Sequence, residues 1–383
     1  MTQHYTHDVL ILGAGPAGAT AALALKEAGL KVALIDKAQF PRDKVCGDAI
    51  PGRAVRVLRE LSPVYAQAFQ QFPKQCFTSQ SAFFVNNHLP IELHWVNQAY
   101  TCARLDFDNW LVELVQKETD TELFLETTPT TIARNEAGIT IACQNPSLHF
   151  SAPIVIGCDG ANSQVRKQFT DFKLELNHYG GAVRVYYQNV TGLQANKTEI
   201  YVLKKYLPGY FWVFPLPDNQ ANVGFGMLSK YISSRRLNLK TIFHDFIQEH
   251  PLLRERFAAS TQIGTIQGFG LPFGSHQIQV SGDRFLLCGD AASLIDPATG
   301  DGIGNAMLSG KLAAQKVVEC FAQNRFDATF LKSYDQQLYG SLQKEFFRRT
   351  LLQRVSTQFP WLLDVGAIAA KQRWIKRILH RAI

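Results

Sequence analysis

Short apolar runs that break on glycine recur along this chain, and the first of them sets the pattern. Asp8-Val9-Leu10-Ile11-Leu12 runs into Gly13-Ala14-Gly15-Pro16-Ala17-Gly18, and the alanine- and leucine-rich stretch from Ala19 to Ala28 predicts a helix buried against a sheet. Gly29 stops that helix, and Lys31-Val32-Ala33-Leu34-Ile35 predicts a second buried strand closing on Asp36. Two later runs repeat the form. Pro153-Ile154-Val155-Ile156 delivers Gly157-Cys158-Asp159-Gly160-Ala161-Asn162-Ser163, with a helix opening at Gln164. Arg284-Phe285-Leu286-Leu287-Cys288 delivers Gly289-Asp290-Ala291-Ala292, then Pro297, Gly300-Asp301-Gly302-Ile303-Gly304 and a helix from Asn305 to about Phe321.

Between these units the pattern changes. Gln39 to Pro51 is polar, proline-bounded and too irregular for an element, so it reads as a loop beside the first glycine turn; a helix follows from Gly52 to Leu61. Phe77 to Tyr100 alternates in places and predicts a hairpin around Asn86-Asn87, after which helix resumes at Ala103-Arg104. Thr121 to Ile156 reads as strands with turns at Asn135-Glu136-Ala137-Gly138 and Asn145-Pro146. From Tyr179 to Leu228 four period-two segments predict four consecutive antiparallel strands forming a separate sheet. Tyr210, Trp212 and Phe214 fall on one face of the third, because alternate side chains point the same way. Such a stripe serves as core or as a binding wall.

Length and composition narrow the options. The chain has 383 residues, enough for two modest domains. Seven scattered cysteines with no C-x-x-C pair suggest neither a disulfide framework nor a zinc site, so a reducing compartment and no metal are expected. The first strand begins within eight residues and no apolar run is long enough to span a bilayer, which predicts a cytoplasmic or membrane-attached protein. From Lys344 to Ile383 nine Lys or Arg stand against Glu345 and Asp364, a surplus of seven that equals the formal net charge of +7. Basic excess confined to a tail, with no aromatic-basic motif beside it, speaks against nucleic-acid binding.

The first unit carries the clearest chemistry. Gly13 permits a tight turn, Gly15 lets backbone approach a pyrophosphate, Gly18 packs helix on strand, and the helix N-terminus faces the anion. Asp36, 18 residues after Gly18, is placed for ribose hydroxyls, and with Lys37 next to it FAD or NAD fits better than NADP. Arg104 opens its helix where it could reach a phosphate or ribose, or remain a surface charge. Asp159 and the residues after it could present a polar group or simply cap a helix. Cys46 is either an inert cysteine or a thiol beside a reactive ring.

Taken together, Gly13-x-Gly15-x-x-Gly18 with Asp36, Arg104, Cys158-Asp159-Gly160 and Gly289-Asp290 with Pro297 resemble the flavoproteins of the para-hydroxybenzoate hydroxylase fold. Within them, Phe40-Pro41-Arg42-Asp43-Lys44-Val45-Cys46-Gly47-Asp48, Pro297-x-x-Gly300-x-Gly302-Ile303 and Tyr210-x-Trp212-x-Phe214-Pro215 followed by Gly224-x-Gly226 are similar to the geranylgeranyl reductase branch. The resemblance implies an α/β fold: a Rossmann-like FAD-binding domain from residues 1–75, 101–175 and 276–340, a substrate domain from the hairpin 76–100 and residues 176–275, and a basic amphipathic helical tail at 341–383. It implies that Gly13, Gly15, Ala17, Gly18, Asp36 and Lys37 hold the nucleotide end of FAD. Cys46, Gly47, Arg104, Asp159, Gly289, Asp290, Gly300, Gly302 and Ile303 would serve the rest, the backbone N–H groups of Gly302 and Ile303 facing the electron-rich edge of the reduced ring. Tyr210, Trp212 and Phe214 would line the cavity of a prenyl chain, with Cys46 near the flavin. Asp36 and Asp301 stand where many relatives have Glu, which keeps the charge.

The implied reaction is saturation of an isolated C=C bond by hydride from reduced flavin, with a proton from Cys46 or a held water. NAD(P)H or another donor would dock transiently, since one dinucleotide fold is present. The alternatives are a monooxygenase acting on an apolar substrate and a membrane-tethered flavin sensor without turnover. Flavin halogenases would want a lysine in the substrate cavity and Trp-x-Trp-x-Ile-Pro, where this chain has Tyr-x-Trp-x-Phe-Pro. In the tail, Trp374, Ile375, Ile378, Leu379, Ala382 and Ile383 fill one half of a helix and Arg373, Lys376, Arg377 and Arg381 the other, a division that suits an anionic membrane surface or docking on the chain's own domain.

Overall fold

The computed structural model describes residues 3–86, 88–144 and 148–369. A six-stranded sheet is built from the buried apolar runs, in the order Ser281–Gly282, Phe285–Leu287, Ile154–Gly157, Val9–Leu12, Val32–Ile35, Glu122–Phe124. All its pairings are parallel except the one at the Ser281 edge. Val9–Leu12, Val32–Ile35 and Ile154–Gly157 are buried at every position, with the first helix and a second sheet packed on them, which is why their sequences run apolar without alternation. A four-stranded sheet, Gln3–Thr6, Leu148–Ala152, Ile139–Cys143 and Pro129–Arg134, stands beside it.

The first helix spans Pro16–Ala24, not Ala19 to Ala28. Proline suits the opening turn, where its missing N–H would have no partner, and the chain unwinds through turns to Gly29 at φ +66. Helix Gly52–Leu61 forms as expected and helix Arg104–Glu118 opens at the expected place, whereas the helix after Gly302 starts earlier than expected, at Ile303, and runs to Gln323. Gly310 brings it against the first helix so closely that a Cβ there would stand 3.0 Å from the Ala17 carbonyl carbon. A turn forms at Asn135 to Gly138, with Asn135 Oδ1 accepting from the N–H groups of Ala137 and Gly138. The turn expected at Asn145-Pro146 lies outside the described residues.

The four expected strands form and pair antiparallel, but the expectation of a separate sheet is corrected: they belong to an eight-stranded one. It runs Thr261–Pro272, Tyr179–Gln188, Gln220–Leu228, Tyr210–Leu216, Lys197–Val202, Cys76–Val85, Ile91–Thr101, Ala49–Ile50. The 76–101 hairpin enters this sheet, with Cys76–Val85 lying parallel to Lys197–Val202. Thr261–Pro272 pairs along Tyr179–Gln188 and covers an edge that would otherwise present open backbone groups. It escaped the sequence reading because its first five residues are exposed and carry no apolar alternation.

One face of this sheet is a second core. Phe211, Val213, Val223 and Phe225 pack there with Phe243, Phe246 and Ile247 of helix Leu239–Glu249. The other face carries Tyr210, Trp212, Phe214 and Asn222 toward the 39–48 loop. The chain then forms helix Ala328–Gln358, capped by Asp327 Oδ1 accepting from Phe330 N–H at 3.0 Å, and helix Trp361–Ala369. The tail segment Trp374 to Ile383 lies outside the described residues. No helix among the described residues is long and apolar enough to cross a membrane.

Candidate functional site

At the first glycine turn, backbone is packed on backbone. Gly13 sits at φ +100, and a Cβ there would stand 2.7 Å from the Cys158 carbonyl carbon; one on Gly18 would stand 3.0 Å from the Gly13 carbonyl carbon. Gly15 differs: its missing Cβ would look onto the guanidinium groups of Arg42 at 3.6 Å and Arg104 at 3.9 Å. Two cations therefore stand over the N-terminus of helix Pro16–Ala24, the donor set a diphosphate requires. Asp108, fully buried, holds both. Its carboxylate takes Arg104 Nε and Nη2 at 2.6 Å each and Arg42 Nη1 at 2.8 Å. Burial pushes that carboxyl up, but Arg104 and Arg42 outweigh burial and hold it below the usual range.

Asp36 closes the second strand with each oxygen engaged once, Oδ2 by Ala14 N–H at 2.7 Å and Oδ1 by Ala38 N–H at 2.8 Å. The remaining lone pairs are free to take ribose hydroxyls. Lys37 is exposed beside it, and Ala17 is buried between the first helix and Gly289. Asp159 Oδ2 caps the next helix, accepting from Gln164 N–H at 2.6 Å, while its Oδ1 is buried with no partner among the described residues.

The third turn brings the remaining candidates together. Gly289, at φ +58, donates its N–H to Ser309 Oγ at 2.9 Å, and Asp290 Oδ2 receives Lys44 Nζ at 2.9 Å. Gly302 lies next to Asp290, whose Oδ1 is 3.6 Å from the position of a Cβ there. The N–H pair expected to be free at Gly302 and Ile303 is partly spent: Ile303 N–H reaches Asp301 Oδ1 at 3.2 Å. Burial and the neighbouring Asp296 push the Asp301 carboxyl up to about 7. Gly300, at φ +70, approaches Tyr210, whose hydroxyl donates to Thr299 O.

The 39–48 loop meets the aromatic face of the large sheet. A Cβ on Gly47 would lie 3.4 Å from the Phe214 ring and 3.6 Å from Trp212 Nε1. Asn222 ties the two surfaces: its Oδ1 accepts from Trp212 Nε1 at 2.8 Å, and its Nδ2 donates to Cys46 O at 2.8 Å and Asp48 Oδ2 at 2.7 Å. Tyr186 also donates to Asp48 Oδ2, at 2.9 Å. Arg184 anchors the loop, giving Nη2 to Asp43 Oδ1 at 2.8 Å and Lys44 O at 3.2 Å. Asp48 is fully buried, and burial pushes its carboxyl up to about 6 against the pull of Arg184, Asn222 and Tyr186. Burial likewise raises the Cys46 thiol, so it stays protonated at neutral pH despite Arg104 nearby.

Three separated strand ends thus converge on one cradle with a cationic middle and an aromatic wall. A model of the FAD binding domain matches residues 6–338. The chain belongs to the FAD binding domain family. It is an FAD-dependent oxidoreductase similar to geranylgeranyl reductases. Digeranylgeranylglycerophospholipid reductase 1 of Methanopyrus kandleri is 30% identical across 86% of this chain and 85% of its own length. Menaquinone reductase of Mycobacterium tuberculosis is 28% identical across 80% of this chain and 76% of its own. Among solved structures, a geranylgeranyl bacteriochlorophyll reductase-like protein from Thermoplasma acidophilum superposes with a TM-score of 0.83 at 25% identity, covering 97% of this flavoprotein and 93% of that chain. An FAD complex of a variant of halogenase PltM shares the fold, with a TM-score of 0.74 at 19% identity over 89% and 75% of the two chains.

Sequence reasoning did not single out Arg42, Asp108, Asp48, Arg184, Tyr186 or Asn222. Arg42 and Asp48 were in view inside the loop motif, and Asp108 stands four residues after Arg104, a spacing that puts both on one helix face. Nothing local marks Asn222, whose partners Cys46 and Asp48 lie more than 170 residues away.

Proposed function

We propose that this flavoprotein saturates C=C bonds of a prenyl or other hydrophobic lipid-like substrate, with NAD(P)H or another donor docking transiently. The observation that supports the reading most is the meeting of Tyr210, Trp212 and Phe214 with the Cys46-Gly47 loop, an apolar wall set against the flavin-side loop. The relatives, a menaquinone reductase and a digeranylgeranylglycerophospholipid reductase, agree with it.

FAD, when bound, supplies hydride. The chain's own residues do the rest. Arg42 and Arg104 over the Gly15 turn would hold the diphosphate, Asp36 a ribose, and Asp290 with the Gly300 to Ile303 turn the ring end. The aromatic wall excludes water and holds the alkene still, which is where the rate must come from, because an unactivated alkene develops little charge for the protein to stabilise. Cys46 Sγ keeps its proton at neutral pH and is the group we assign to deliver one to carbon. The test is anaerobic: reduce the protein, add prenyl lipids, and follow the return of the yellow colour together with lipid mass. Reoxidation with two hydrogens gained per bond, slowed at least about tenfold in Cys46→Ser, is expected. A strict need for oxygen would instead assign a monooxygenase, and no lipid-linked reoxidation would leave a sensor.

A further inference from the structure

The short helix Trp361–Ala369 turns an apolar stripe outward while Leu362 and Leu363 are half-buried. Amphipathic helices of globular proteins place apolar residues inward and polar ones outward. Here the polar residue is the anchor: Asp364 Oδ1 accepts from Asn86 Nδ2 at 2.8 Å and meets His88 Nε2 at 3.0 Å, and Lys204 pairs with its other oxygen. Trp361, Val365 and Ile368, one stripe at helical spacing, stand 57%, 51% and 57% exposed. The preceding helix is exposed at apolar positions too, with Phe347 at 69%, Leu351 at 52% and Leu352 at 64%.

Charge on this segment is equally one-sided. Glu345 and Asp364 are the only acids from residue 344 to the end of the chain, and both are engaged by the protein itself, Glu345 by Arg53 and Arg349 at 3.2 Å. Lys344, Arg348 and Arg354 are exposed on the same stretch. The following sequence adds Lys371, Arg373, Lys376, Arg377 and Arg381 without an acid. We propose that this surface, Phe347, Leu351, Leu352, Trp361, Val365 and Ile368 with its basic rim, docks on an anionic lipid bilayer. A second copy of the chain would bring two cationic rims together, whereas anionic headgroups answer the rim and the interfacial region takes the tryptophan and aliphatic side chains. Helix Ala328–Gln358 also bonds to the turn beside the aromatic face, through Gln353 Nε2 to Pro297 O at 2.7 Å and Arg349 to Asp296 at 3.0 Å. Docking therefore sets that turn near the bilayer.

The inference goes beyond the proposed reaction and is tested without turnover. The FAD-loaded full chain is sedimented with vesicles of phosphatidylcholine alone or mixed with phosphatidylglycerol. Wild type is expected in the anionic pellet, and Trp361→Gln, Val365→Gln and Ile368→Gln combined should weaken that partition about tenfold while colour and elution volume stay unchanged. Arg348→Glu with Arg354→Glu should abolish the preference for anionic vesicles. Should the triple variant fold poorly, quenching of wild-type fluorescence by brominated lipid, reduced in Trp361→Phe, reports the same contact. Equal vesicle binding by wild type and triple variant, or a wild-type dimer that the variant dissolves without change in vesicle binding, overturns the proposal. Unchanged reduction of detergent-solubilised lipid by the triple variant separates docking from the reaction.

Discussion

At three glycines of the nucleotide-binding unit the missing side chain faces backbone: Gly13 against Cys158, Gly18 against Gly13 and Gly310 against Ala17. At three glycines of the eight-stranded sheet it faces a ring instead: a Cβ on Gly224 would overlap Trp212, one on Gly180 Phe273, and one on Gly270 Tyr179. Backbone held by a parallel sheet cannot move aside, whereas a ring can turn about its side-chain bonds. The same residue type thus leaves the first region unable to yield, and in the second it meets a ring that can yield, at Trp212 only by giving up the bond to Asn222. The first must match one invariant cofactor; the second, under the proposed function, meets a hydrophobic substrate.

Three measurements press on that contrast. Gly18→Ala should be the most damaging, costing more than about 4 kcal/mol and leaving the purified protein colourless, since overlap with Gly13 can be relieved only by moving the turn. A yellow variant with unchanged thermal unfolding would break the comparison on its rigid side. Asp48 lies at the seam between the regions. Its folded-state value of about 6 is above the unfolded 3.8, so its contribution to stability is full below about pH 4 and is lost as pH rises through about 6, a change of about 3 kcal/mol. Urea unfolding of wild type and Asp48→Asn from pH 4 to 8 should show the variant gaining on wild type as pH rises; parallel curves would mean the carboxyl titrates normally. Gly224→Ala should be mildest, about 1–3 kcal/mol, with FAD retained and Trp212 rotated off Asn222. Its mark is altered lipid KM with normal flavin content, and loss of colour would show the wall to be as unyielding as the turn.

The rigid region was legible in sequence because it is written locally. Gly13 to Asp36 holds strand, turn, helix and acid within one short stretch, and only the helix limits were misplaced, where Pro16 opened it early. The large sheet was half legible. Its alternating strands could be read, but their order could not, because Lys197–Val202 finds its parallel partner in Cys76–Val85 across more than 100 residues. The same separation hid the polar cluster: Arg42 with Asp108, and Cys46 and Asp48 with Asn222, are meetings made by topology. Arg104 stood at its helix start, yet the sequence could not tell a surface charge from a buried one until Asp108 supplied the partner.

Asn222 has a practical bearing on redesign. With indole N–H on its oxygen and two acceptors on its nitrogen, the amide cannot be turned end for end, so Trp212 and the Cys46 loop behave as one riveted assembly. Under the proposed function, a library meant to admit bulkier or shorter chains should vary position 214 first, where the phenyl ring carries no polar atom, and position 210 second, where only the Thr299 carbonyl is forfeited. Position 212 should be exchanged only together with 222.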